Sequence, residues 1–170
     1  MALIKTINNI TPSIASDVFL AETATIIGDV SIAKKSSLWY NTILRGDVNS
    51  ITIGEKVNIQ DGSIIHCTFK KSNVIIGNNV SIGHNSIIHG CKIGDNVLIG
   101  MGAIIMDQAI IESNSIVAAG SVVTKGTIIR SGNIFSGTPA KIMKEISEKE
   151  VEEMTNRLAS NYVMYSNWYT

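Results

Sequence analysis

The sequence predicts an all-β solenoid, a triangular prism of short parallel strands, followed by a C-terminal α-helix. Two observations carry this prediction: aliphatic residues recur at every sixth position over much of the chain, and isoleucine alone fills 30 of the 170 positions. β-Branched side chains suit strands better than helices. Six residues rotate about 600° around an α-helix, so this period cannot keep one helical face buried.

The six-residue repeat spans residues 20 to 140. Glycine often follows the aliphatic residue, as expected at corners that need unusual backbone angles. Three such hexads form one coil of about 18 residues with the aliphatic side chain inward, and this pattern resembles the hexapeptide-repeat, left-handed parallel β-helix family. The aliphatic positions are Leu20, Ile26, Ile32, Leu38, Leu44, Ile53, Ile59, Ile65, Ile76, Ile82, Ile88, Ile93, Ile99, Ile105, Ile111, Val117, Val123, Ile129 and Phe135.

The end of the chain follows a helical pattern instead. Ser147 and Glu150 have the spacing of a capping box, and Val151, Met154 and Leu158 recur at helical intervals. We therefore predict a helix over about residues 147 to 166 that lies against the prism. Residues 1 to 170 are expected to form a single domain.

Composition excludes several classes of protein. The 14 basic and 14 acidic side chains cancel, which argues against a nucleic-acid partner because such proteins normally carry a basic stripe. The chain shows neither a signal-peptide pattern nor an apolar run of membrane-spanning length. We therefore expect a cytoplasmic protein without a membrane partner. Two cysteines are too few for a disulfide framework.

The repeat is interrupted at one edge of the predicted prism. Counting hexads assigns the predicted strands to three faces, and every departure from six residues follows the same face, which contains Ile65. A remodelled edge on a rigid scaffold is where function tends to be found. Three residues are inserted between Leu44 and Ile53 and five between Ile65 and Ile76, and one is missing between Ile88 and Ile93.

All three histidines lie beside this edge. His66 and His89 each follow the inward residue of their hexad on one face, so they should stack one coil apart above Arg45. Two imidazoles at that separation can bind one metal ion. His84 lies across the corner, where a neighbouring prism packed edge to face would supply it, and three such contacts close a cyclic trimer. Three imidazoles with one open position are typical of catalytic zinc.

Several short segments stand out in order along the predicted prism. They are Leu44-Arg45-Gly46-Asp47, Ile59-Gln60-Asp61-Gly62, Ile65-His66, Gly83-His84, His89-Gly90-Cys91 and Gly137-Thr138-Pro139-Ala140. Together these segments resemble the γ-class carbonic anhydrases and their bacterial relatives. In that family, the positions of His66 and His89 bind the metal from one subunit, and that of His84 binds it from the adjacent subunit of a trimer. The resemblance implies reversible hydration of carbon dioxide to bicarbonate by metal-activated water, with zinc as the expected metal and iron or cobalt as alternatives.

The resemblance also implies roles for five further residues. Gln60 would hold the bound hydroxide or bicarbonate. Asp61 would not bind the metal itself but would hydrogen-bond to one of the metal ligands. Arg45 and Asp47 would lie near the subunit interface, either contacting the anion or forming an ordinary salt bridge. Tyr162 would line the pocket or simply pack the helix against the prism.

The chain departs from the family pattern at two places. Archetypal members carry a glutamate directly after Arg-Gly-Asp and an acidic loop after the first ligand histidine, and both help to shuttle protons. Here Val48 takes the first position, and the loop from Cys67 to Asn73 contains no acid. Proton removal from metal-bound water would then rely on buffer or on another group of the protein, so that turnover would be slow or absent. Cys67 and Cys91 flank the histidines, as buried thiols or as a redox-sensitive disulfide.

Two other functions remain open. An acyl-CoA-dependent acyltransferase shares the prism and often uses one histidine as a general base, although three clustered histidines favour a metal. A metal-binding homologue without activity is consistent with Val48 and the loop that lacks acids.

Overall fold

The computed structural model describes residues 1–169. The chain coils into a left-handed parallel β-helix whose strands form three flat faces, which we call faces a, b and c. Faces a and c belong to one sheet because two long strands, Thr25–Ile32 and Ile43–Ile53, bend around the corner between them. The predicted fold class is therefore confirmed.

The remaining strands are short and stack in register along each face. Face b contains Phe19–Leu20, Ser37–Leu38, Asn58–Ile59, Ser81–Ile82, Leu98–Ile99, Ile116–Val117, Asn133–Gly137 and Ala140–Glu145. Face c contains Leu3–Lys5, Ile64–His66, Ile87–His89, Ile104–Ile105 and Val122–Val123. Face a contains Ser13–Ile14, Val74–Ile76, Lys92–Ile93, Ile110–Ile111 and Ile128–Ile129.

The strand pairing follows the register expected from counting hexads. On face c, Leu44, Ile65, Ile88 and Ile105 are successive partners, and on face b, Leu38, Ile59, Ile82 and Ile99 are. These aliphatic side chains are buried at the centre of the prism. Each coil places only three of them inside, so the core is filled by medium-sized side chains and needs few aromatic rings.

The coil begins earlier than the repeat predicts. Leu3–Lys5 and Ser13–Ile14 both pair in parallel with Thr25–Ile32, although they lie before residue 20. A turn closed by a bridge between Ile7 and Ile10 separates these two strands. The residues of this turn interrupt the six-residue spacing, so the repeat is not apparent in the sequence before residue 20. At the other end, Ala140–Glu145 returns antiparallel to Asn133–Gly137 and closes the sheet.

The helix extends over Glu148–Ser166 and packs against face b. The Ser147 hydroxyl accepts a hydrogen bond from the backbone N–H of Glu150, and the Glu150 carboxylate accepts one from the backbone N–H of Ser147, as in the predicted capping box. Aromatic side chains of the helix and of the residues after it pack beside face b, where the Trp39 ring centroid lies 5.5 Å from those of Tyr162 in the helix and Tyr169 beyond its end. Among residues 1–169, no helix is both long and apolar enough to cross a membrane.

Candidate metal centre

Three side chains form a column on face c at the remodelled edge. The ladder pairs Arg45 with His66 and His66 with His89, as the hexad count predicts. Each follows an inward aliphatic residue, so each side chain points out of the prism. The ring nitrogens His66 Nδ1 and His89 Nε2 lie 3.1 Å apart.

A carboxylate holds the far side of each of these two rings. His66 Nε2 lies 3.0 Å from Asp47 Oδ1, and His89 Nδ1 lies 2.9 Å from Asp107 Oδ2. Partial burial would raise the pKa of Asp47, but hydrogen bonds from Arg45 and His66 outweigh burial and lower the pKa below its usual value. Both carboxylates are thus ionised at neutral pH and accept the ring N–H groups that face them.

The two remaining ring nitrogens lie within hydrogen-bonding distance of each other. A neutral imidazole that donates from one nitrogen carries a lone pair on the other. With both rings neutral and donating to their carboxylates, His66 Nδ1 and His89 Nε2 would both present lone pairs to the same point, an arrangement that a cation between them would stabilise. Two nitrogens bound to one tetrahedral metal at about 2.1 Å each would be separated by about 3.4 Å, close to the observed 3.1 Å. The donor pair therefore fits a metal ion.

Asp107 belongs to this centre, and the sequence reasoning missed it. Besides His89, its carboxylate accepts hydrogen bonds from the hydroxyls of Thr68 and Ser72. Burial alone would raise the pKa of Asp107, but these three donors lower it to about 2. One signal was available: Ile88 pairs with Ile105, so Met106 lies one coil beyond His89 and Asp107 directly follows it at the corner.

His84 lies apart from the column, as the face assignment predicts. It has a carboxylate partner of its own, with Nδ1 2.9 Å from Asp61 Oδ2. His84 and Asp61 line a groove of about 270 Å³ whose other walls are aromatic side chains of the helix region and face b. All three histidines are thus paired with a carboxylate, an arrangement typical of histidines that bind metals.

Gln60 lies close to His84, and both line a neighbouring groove of about 410 Å³. The Gln60 side chain is nearly buried and donates from Nε2 to Asn58 Oδ1 at 3.0 Å, while Asn58 donates to Ser81 Oγ at 2.7 Å. This chain of bonds fixes the amide, and among residues 1–169 no group donates a hydrogen bond to Gln60 Oε1. Tyr162 also lines this groove, and burial, followed by the charge of Asp61, raises its pKa.

Arg45 donates from Nη1 to Asp47 Oδ2, so the two side chains form an ion pair within one chain. Asp47 thereby links Arg45 to His66. The Arg45 side chain is partly exposed, which leaves further guanidinium N–H groups directed at solvent. Within residues 1–169 of a single chain, no three His, Cys, Asp or Glu side chains are arranged to hold a metal ion.

Both cysteines near the centre are free thiols in the structure. Each is almost fully buried, and burial raises the pKa of Cys67 to about 11 and that of Cys91 to about 12. The sequence allows either buried thiols or a disulfide between Cys67 and Cys91, and in this structure both residues are buried thiols.

Comparisons with known proteins define the class. A family described as bacterial transferase hexapeptide (six repeats) matches residues 90–125. The carbonic anhydrase of Geobacillus kaustophilus is 42% identical over 159 residues, which cover 94% of this chain and 86% of that protein. Gamma carbonic anhydrase 2, mitochondrial, of Arabidopsis thaliana is 41% identical over 159 residues, which cover 89% of this chain and 56% of that protein.

A solved structure agrees along almost the whole chain. The hexapeptide transferase family protein from Anaplasma phagocytophilum superposes with a TM-score of 0.93 and 42% identity, covering 99% of this chain and 98% of that one. The fold and these matches define a hexapeptide-repeat β-helix protein. Within that class, the chain belongs to the γ-carbonic anhydrase family.

Proposed function

We propose that the protein is a metal-dependent lyase of the γ-carbonic anhydrase type, which hydrates carbon dioxide reversibly to bicarbonate at sites shared between subunits of a homotrimer. The observation that carries this proposal is the pair of facing nitrogens, His66 Nδ1 and His89 Nε2, each fixed by its own carboxylate. Relatives named carbonic anhydrase, including one of which this chain covers 95%, support the reaction.

Three histidines would hold the metal. His66 and His89 of one subunit supply two ligands, and His84 Nε2 of the adjacent subunit supplies the third, because Asp61 already occupies His84 Nδ1. Zinc is the first choice for three neutral imidazoles with an open position, and iron or cobalt would also bind. A divalent cation there would lower the pKa of water to about 7, so hydroxide becomes available at neutral pH.

A trimer is supported by the separation of His84 from the column and by the surface around the column. Ile64 and Ile87 precede the two column histidines by two residues and remain 39% exposed each on face c. Large side chains exposed beside a polar centre are typical of an interface. A partner that covers these isoleucines with its own face b would bring its His84 to the column.

The chain's other polar groups would bind and orient the reactants. Gln60 Oε1, fixed through Asn58, would accept a hydrogen bond from hydroxide or from the hydroxyl of bicarbonate. Arg45, oriented by Asp47, would donate to the carboxylate oxygens of bicarbonate. Asp61 would hold the tautomer of His84 that presents Nε2. Tyr162 would line the pocket next to Gln60.

The proton released by hydration needs an acceptor. The loop that follows His66 offers none, and Val48 replaces the acid that the family carries there. Asp107 cannot take the proton near neutral pH, because its pKa is about 2. Buffer would therefore carry the proton away, and turnover would be limited by that transfer.

A stopped-flow hydration assay on zinc-loaded and iron-loaded protein tests the proposal. We expect activity in at least one metal form and at most about one hundredth of it in His66→Ala, because one ligand is lost. Activity that is unchanged in His66→Ala, or a metal-free monomer in solution, would contradict the proposal.

The acyltransferase remains the second candidate, since both the family model and the solved relative have transferase in their descriptions. It predicts coenzyme A binding and one essential histidine without metal. Protein that binds metal yet shows neither activity would instead support the third possibility, a metal-binding homologue without turnover.

A further inference from the structure

We infer that Asp107, together with the hydroxyls of Thr68 and Ser72, is a positioning clamp that fixes the ring and the tautomer of His89. The inference deepens the proposed function, since it takes His89 as a metal ligand. Asp107 itself faces Nδ1, on the side of the ring away from His66, and so does not touch the point where the metal would bind.

The clamp uses both oxygens of the carboxylate. Oδ1 accepts the hydroxyls of Thr68 at 2.5 Å and Ser72 at 2.7 Å, and Oδ2 accepts only His89 Nδ1 at 2.9 Å. Two donors on one oxygen fix the carboxylate plane, so the second oxygen holds the imidazole in one orientation. Because an ionised carboxylate only accepts, His89 carries a hydrogen on Nδ1, and the neutral ring then has its lone pair on Nε2.

The loop inserted after His66 supplies the two hydroxyls. A bridge between Thr68 and Ser72 closes this loop, which brings both side chains to the acid of a later coil. The loop thus contributes hydroxyl donors to an acid that lies outside it. The insertion therefore orients a ligand histidine through Asp107.

Gly90 gives independent support for the clamp. This residue directly follows His89 and is buried, with a positive φ of 53°. A Cβ atom at this position would overlap Ser72 Oγ and Asp107 Oδ1. The space that a Cβ atom would need at residue 90 is thus filled by the Ser72 hydroxyl and the Asp107 carboxylate, which are hydrogen-bonded to each other.

The test compares Asp107→Asn with the wild type by two measurements. Long-range ¹H–¹⁵N NMR of the metal-free protein, recorded about two pH units above the usual imidazole pKa of about 6.5, reports the tautomer of each ring, and the chain has only three histidines. Competition with a chromophoric chelator gives the zinc affinity. We expect a protonated Nδ1 at His89 in the wild type, loss of that tautomer in the variant, and about 10- to 100-fold weaker zinc binding.

Asp95→Asn is the matched control. Asp95 is another corner acid, and its Oδ1 accepts hydrogen bonds from the backbone and side chain of Asn78, whereas the carboxylates paired with the histidines are Asp47, Asp61 and Asp107. We expect this variant to keep the His89 tautomer and the zinc affinity within about twofold. Thr68→Val with Ser72→Ala keeps Asp107 and should weaken zinc binding less than Asp107→Asn does.

The tautomer measurement needs neither metal nor activity, so it separates this inference from the proposed function. A wild-type His89 protonated on Nε2, or an Asp107→Asn variant with unchanged tautomer and unchanged zinc affinity, would overturn the clamp. Failure of the wild type to bind zinc would overturn the proposed function and leave the tautomer result to decide the clamp. If Asp107→Asn fails to fold, the wild-type tautomer and the hydroxyl variant still decide it.

Discussion

His66 Nδ1 and His89 Nε2 face each other across 3.1 Å on adjacent coils of face c. Asp47 and Asp107 occupy the opposite nitrogens of the two rings. With both rings neutral, the prism would present two lone pairs at one point before any ligand is present. This preorganisation comes from backbone register, because the two residues occupy the same position in hexads one coil apart.

Dependence on buffer should reveal the missing proton shuttle. We expect the turnover number of the metal-loaded enzyme to rise with imidazole concentration and then saturate, because no acid in the loop after His66 can receive the proton. Val48→Glu should raise turnover at low buffer, whereas Val48→Gln should not. Turnover that is independent of buffer concentration would point to a proton acceptor within the protein.

The buried thiols should be nearly inert. With a pKa of about 11 for Cys67 and about 12 for Cys91, native protein at pH 7.5 should react with iodoacetamide at least about 100-fold more slowly than a free thiol. Mass spectrometry should find no adduct on the native chain and two on the unfolded chain. Rapid modification of the native protein would show that this side of the centre opens readily.

Replacing Gly90 should cost more stability than a positive φ alone explains. Gly102 also has positive φ, but a Cβ atom there would have open space. We expect Gly102→Ala to lower the free energy of unfolding by about 1 kcal/mol. Gly90→Ala should lower it by about 1–3 kcal/mol more, because the added carbon displaces Ser72 and Asp107. Equal losses in chemical denaturation would contradict the tight packing at Gly90.

Acid should weaken the metal-free protein through Asp107. Its pKa is depressed to about 2 from a usual 3.8, so its contribution to stability is complete above about pH 4 and is lost as the pH falls toward 2. Urea titrations at several pH values should show a steeper loss of stability over this range in the wild type than in Asp107→Asn. Parallel curves for the two proteins would show that Asp107 is not coupled to folding.

The sequence predicts the column of Arg45, His66 and His89 because six-residue spacing fixes backbone register by counting alone. It does not predict Asp107, since the bond to His89 depends on how the inserted loop folds back against a later coil. The first strands were missed for a similar reason, because the turn at Ile7 and Ile10 interrupts the period. The six-residue period therefore predicts backbone register, but it does not predict hydrogen bonds between side chains at irregular corners.

Mixing two inactive variants tests the shared metal site most directly. His66→Ala and His84→Ala trimers should each bind almost no zinc. If His84 acts across the interface, random co-assembly of equal amounts should restore about one quarter of the sites, because each site takes its ligands from two chains. Zinc measured over the whole co-assembled population should therefore rise to about one quarter of the wild-type content, which corresponds to one working site of three in each mixed trimer. Mixed trimers with no more zinc than either variant alone would contradict a site shared between subunits.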